Sequence, residues 1–156
     1  MITPEVKSSI SQALALLPKN MDSPQARVML LAIGLQESRF EYRRQIGNGP
    51  AKGYYQFEKG GGVKGCIQHP VSAPHLRKVC QERGVEFTAQ AVWDAIEHDD
   101  VLAAALARLL LWTDPKPLPS IDDAAGAWAV YLRTWRPGKP HLSSWAGLHR
   151  QAREAL

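Results

Sequence analysis

A chain of 156 residues is the length of one ordinary domain, long enough to bury a substantial core without help from disulfides or metal. The net charge of +4 and pI near 9.2 favour a polyanionic partner, whether nucleic acid, an anionic membrane surface or an acidic wall polymer, although the basic residues are scattered. No apolar window approaches the length of a membrane span, and the two cysteines, Cys66 and Cys80, are too few for a disulfide framework. Free thiols are expected, with one disulfide as the lesser alternative.

The opening residues MITPEVKSS lack the charged start and apolar centre of a secretion signal, so the chain reads as one made in the cytoplasm without a signal peptide. Thr3 caps a first helix with Pro4 at its first position, a stripe of Val6, Ile10, Ala13, Leu14 and Leu17, and Pro18 as the stop. Ser23 caps and Pro24 opens a second helix running to Glu37 or Ser38, whose run VMLLAIGL is apolar nearly all round and therefore central. The next thirty residues carry seven glycines from Gly47 to Gly65 and leave only YYQF as a short strand candidate. A short helix from Pro74 to Arg83 ends at Gly84, and Thr88 caps another. Asp99 and Asp100 open a long alanine- and leucine-rich helix ending near Trp112. After DPKPLP, Ser120 and Asp123 have capping-box spacing before AAGAWAVYLRTW. A last helix, opened by Ser143 or Ser144, places Trp145, Leu148, Ala152 and Leu156 on one stripe. The expected fold is mainly α, with a small irregular or two-stranded β lobe between the second and third helices.

Glu37 is the residue with the most chemistry in it. It shares a helical face with Met29 and Ile33, and a glutamate at the end of a buried helix loses hydration, which raises its pKa toward the range of a general acid. The competing reading is a helix that simply emerges into solvent at Gln36. The chain has no Walker-type phosphate loop, zinc spacing or serine nucleophile elbow, and GNG and GGG lack the strand and lysine of a phosphate loop. Its five histidines are too dispersed to propose a metal site or a cofactor, though His69 follows the glycine loop and could face a cleft.

Glu37-Ser38-Arg39-Phe40, then Gly53-Tyr54-Tyr55-Gln56, then an alanine-rich helix bearing Tyr131, is similar in order and spacing to the soluble lytic transglycosylase and goose-type lysozyme group. That group has an E-S-x-F motif at the end of a buried helix, a G-L-M-Q-like turn some twenty residues on, and a late A-x-x-Y-N motif. Here the intervals are nineteen residues from Glu37 to Gln56 and seventy-five from Gln56 to Tyr131. GYYQFEKGGGVKG also resembles the corresponding segment of small phage-encoded lysozyme-like proteins. The chain departs from the pattern at Leu132, where the family has asparagine, and at Tyr54-Tyr55 in the middle of the turn.

The resemblance implies a single lysozyme-like domain over residues 1–156 that cleaves the β-1,4 bond between N-acetylmuramic acid and N-acetylglucosamine, without a cofactor. Glu37 is then the acid, Tyr131 orients it, and Gln56, Tyr54 and Tyr55 border the sugar. A hydrolase normally needs a second carboxylate, for which Glu41 and Glu58 are the nearest candidates. A lytic transglycosylase needs only one, because the substrate supplies the nucleophile. The expected partners are peptidoglycan glycan strands, reached at the wall or periplasm from a virion or through a lysis lesion. The alternative is a phage tail or neck protein that keeps the scaffold, lacks activity and docks virion proteins through exposed Trp135 and Trp145. A nucleic-acid binder ranks last, since its only basic cluster, Arg39, Arg43 and Arg44, lies beside the acid.

Overall fold

A computed structural model describes residues 1–156. Eight α-helices follow in order: α1 Pro4–Ala15, α2 Pro24–Ser38, α3 Lys64–Gln68, α4 Ala73–Arg83, α5 Ala89–Ala95, α6 Asp100–Trp112, α7 Ala124–Trp135 and α8 Leu142–Glu154. A 3₁₀ turn at Lys19–Met21 precedes α2, and a π turn at Lys59–Val63 precedes α3.

Local chemistry accounts for most of these boundaries. The side chains of Thr3, Ser23, Thr88, Asp99 and Asp123 each accept a hydrogen bond from a first-turn backbone N–H of the helix that follows. Gly84 closes α4 at φ +67°, a conformation that glycine adopts without steric cost. Two expected starts are displaced. Asp123, not Ser120, caps α7, and α8 begins at Leu142 behind His141, ahead of both serines.

Two helices form the centre. Every residue of α2 from Val28 to Leu35 is buried, and so is every residue of α6 from Val101 to Leu109. α1 and α4 pack on α6, while α8 lies along α2 and also meets α7. Their apolar faces merge into one core running from Val6 to Ala152, with Trp145 and Leu148 inside it. Leu156 is not part of that stripe: it is half exposed beyond the last turn of α8. Cys66 and Cys80 are free and buried. No helix is long and apolar enough to cross a membrane.

The β lobe is absent. Between α2 and α3 the backbone makes only two isolated bridges, Arg44 with Lys52 and Lys52 with Phe57. YYQF is not a strand, because Gly53 and Gln56 sit at φ +75° and +54°, outside the extended region. Lys52 and Phe57 exchange both backbone hydrogen bonds at 3.0 Å, so GYYQ is the turn between them. Gly53 is required at its corner: a Cβ there would lie 2.6 Å from the Ile96 carbonyl oxygen.

Candidate active site

The end of α2 is tied down on three sides. The helix closes on two successive left-handed residues, Arg39 at φ 57° and Phe40 at φ 54°, which turn the chain back over its own last turns. The Phe40 ring then lies on the backbone of α2 at Gly34, where a Cβ would be 2.0 Å from the ring. The Ser38 hydroxyl donates to the Tyr54 carbonyl at 2.7 Å and accepts the Phe40 N–H at 3.1 Å, joining the helix end to the GYYQ turn. From the other side, Gln36 donates to the His141 carbonyl and accepts from Ser144, both at 3.0 Å, anchoring α2 to the start of α8.

Glu37 sits in the middle of these ties. Burial pushes its carboxyl pKa up to about 7, and the hydrogen bond from Tyr131 partly opposes that rise. The partner of its Oε2 is the Tyr131 hydroxyl, ninety-four residues away on α7. Tyr131 is itself buried, and burial followed by the adjoining Glu37 charge raises its pKa, so it remains a neutral donor. Its ring is stacked on Trp145 (centroids 5.3 Å apart, 14° between planes) and lies against Trp128 and Trp135. The tyrosine is therefore both a core residue and the group that holds the acid. Trp135 continues the link by donating from its indole to the Tyr55 carbonyl at 3.0 Å, which fastens α7 to the turn.

The other expected site residues divide. Gln56 lines a cleft of about 870 Å³, and its Nε2 donates to the Gly53 carbonyl at 2.9 Å, closing its own turn. Tyr54 is half-buried, edge-on to Phe40, with the Arg43 guanidinium 4.5 Å above its ring and bonded to its hydroxyl. Tyr55 corrects the expectation of a sugar-facing aromatic: it is 2% exposed, and its hydroxyl is buried without a partner. Trp145, expected at the surface in the docking alternative, is 1% exposed. The basic cluster is largely spent as well, since Arg43 pairs with Asp100 and Arg44 with Glu97.

The cleft runs between the glycine segment and the C-terminal ends of α6 and α7. Besides Gln56 it is lined by Glu58, His69, Asp114, Arg133, Trp135 and Arg136, among others. Neither Glu37 nor Tyr131 is among its lining residues; the helix that carries Tyr131 reaches the cleft one turn further on, at Thr134 and Trp135. Glu58 is exposed there and free of ion pairs, whereas Asp114 is held by Arg133 at 2.8 Å and Glu41 lies outside. His69 does face the cleft, and it also borders a second cavity of about 770 Å³. The two cavities share His69, Thr113, Asp114 and Pro115, so they adjoin as two parts of one groove. The sequence reading missed the α6 and α7 residues of this groove, for which the one available signal was the proline-stiffened DPKPLP between those helices.

A scan of protein-family models, a search of curated proteins and a search of solved structures each found no match to this chain.

Proposed function

We propose that the chain is a peptidoglycan-cleaving enzyme of the lysozyme-like kind, acting on the N-acetylmuramyl–N-acetylglucosamine bond with Glu37 as its general acid. One observation carries the reading: a carboxyl at the end of a buried helix, with a pKa near 7 and the Tyr131 hydroxyl bonded to it from a helix whose next turn lines a cleft of about 870 Å³. An acid poised near the working pH is what protonation of a glycosidic oxygen requires. Glu37 gives its proton to the leaving oxygen as the bond to the muramyl C1 breaks. The muramyl 6-hydroxyl then adds to C1, and the ionised Glu37 takes up that proton, leaving a 1,6-anhydro end and a carboxyl ready for the next strand. No water is consumed, and no second carboxylate is needed. The source consistent with the resemblance is a phage, the protein being delivered from a virion or at lysis.

Glu37→Gln keeps the shape of the side chain and removes the proton. It is expected to fold and to leave a peptidoglycan zymogram uncleared, and clearing equal to the parent would refute the assignment. Mass spectrometry of the released muropeptides distinguishes the chemistry: anhydro ends from the parent and from Glu58→Gln alike support the single-carboxylate route. Reducing ends that disappear in Glu58→Gln make Glu58 the second carboxylate of a hydrolase.

That Glu37 does not line the cleft favours a second reading. There the scaffold is kept without activity and serves as a tail or neck component. An intact zymogram from the parent protein, together with its recovery in assembled virions, would select it.

A further inference from the structure

Arg108 is the one charged residue of α6 between Val101 and Leu109, and it is 4% exposed. A buried guanidinium is ordinarily met by a carboxylate, because an unpaired charge away from water is costly. Arg108 has none. Its Nε donates to the Met21 carbonyl at 2.7 Å, and its guanidinium carbon lies 5.3 Å from the centre of the Trp112 ring. These two contacts fix its plane, while its terminal nitrogens have no protein partner and are not sealed off from the second cavity, which Arg108 lines. The nearest acid, Asp22, is occupied by a two-bond pair with Arg27 at 2.9 and 3.0 Å. Burial pulls the Arg108 pKa down to about 10, so the group is still charged at neutral pH.

A second, independent feature opens onto the same space. The N-terminus of α2 reaches the cavity through Ser23 and Gln25. The Ser23 hydroxyl caps the Ala26 N–H, and Pro24 has no N–H to offer, but the backbone N–H of Gln25 has no acceptor in the protein. The positive end of a fifteen-residue helix, a fixed guanidinium and the rim lysine Lys116 thus converge on one cavity. Its only carboxylate, Asp114, is neutralised by Arg133.

We infer that this second cavity is an oxyanion subsite of the groove, in which the two free Arg108 nitrogens take a carboxylate or phosphate group end-on, supported by the Gln25 amide and Lys116. Arginine suits the task because its forked donors match two oxygens of one anion. On the muralytic reading, on which only the identity of the ligand rests, the subsite holds an anionic substituent of the strand whose glycan lies in the first cleft. The substrate is then a substituted wall polymer, not a bare N-acetylglucosamine chain.

The test is a proton–nitrogen spectrum of arginine Nε groups, with the Arg108 signal assigned by its loss in Arg108→Lys. The parent protein is titrated separately with sodium acetate and with inorganic phosphate at constant ionic strength. Saturable movement of the Arg108 signal, with a dissociation constant on the order of 1–10 mM for at least one anion, is expected; the exposed Arg150 should drift linearly. Tighter acetate points to a carboxylate-bearing branch, and tighter phosphate to a phosphodiester polymer. An Arg108 signal that drifts like that of Arg150 with both anions overturns the subsite. The titration uses the intact parent, so a folding defect in the lysine variant cannot obscure it. If the signal saturates while the parent protein leaves peptidoglycan uncleared, the muralytic reading falls and the subsite stands.

Discussion

At Glu37, protonation and folding are linked. Its pKa rises from an ordinary 4.5 to about 7 on folding. Between those values the folded chain keeps a proton that the unfolded chain releases, so stability falls as pH rises through that window, by up to about 1.4 kcal/mol per pH unit. Above pH 7 the cost is complete and on the order of 3 kcal/mol. Glu37→Gln escapes it, and the variant is expected to melt several degrees higher than the parent at pH 8 and no higher at pH 4, by calorimetry. Identical melting temperatures at pH 8 would mean that the carboxylate carries no burial strain. Activity should follow the same ionisation, failing as pH rises through about 7, where the acid loses its proton. Tyr131→Phe removes the hydrogen bond that holds this pKa down. Its alkaline limb should therefore move to higher pH, while the rate at pH 6 falls about 10- to 100-fold because the acid is no longer oriented. A lower rate with an unmoved limb would leave Tyr131 a packing residue only.

Among the elements, the end of α2 is where sequence and geometry are most tightly coupled. Alanine is ordinarily favoured over glycine within a helix by about 1 kcal/mol. At Gly34 the Phe40 ring reverses that preference, since it occupies the place of a Cβ. Gly34→Ala should lose on the order of 2–4 kcal/mol in urea unfolding, and adding it to Phe40→Ala should cost far less than the sum of the two. Strict additivity would show that the ring can move aside.

The helices themselves were legible because their signals are local: Thr3-Pro4, Ser23-Pro24, Thr88 and Asp99 act on backbone groups within one turn. YYQF reads as a strand because alternating aromatics resemble one, whereas the sign of φ at Gln56 is set by contacts made elsewhere. The approach of Tyr131 to Glu37 was legible only as an order of motifs. Arg108 was not legible at all, since its partner carbonyl belongs to Met21, eighty-seven residues earlier.

On the scale of the whole molecule, stability is distributed unevenly. α2 and α6 are enclosed by other helices, whereas residues 41–50 are mostly exposed and hold no helix. Amide hydrogen exchange should accordingly be slowest in Val28–Leu35 and Val101–Leu109 and fastest in the loop 41–50, by several orders of magnitude. Equal protection across these segments would contradict a fold hung on two central helices. The cleft has the ends of α6 and α7 on one wall and the glycine segment on the other.

The two thiols of the core carry a last consequence. Cys66 and Cys80 are buried and unbridged, and burial pushes their thiols up to about 12 and about 11, so neither presents a reactive thiolate at neutral pH. No covalent link has to be made or broken for the chain to reach or keep its shape. Melting temperatures with and without a thiol reductant are therefore expected to coincide.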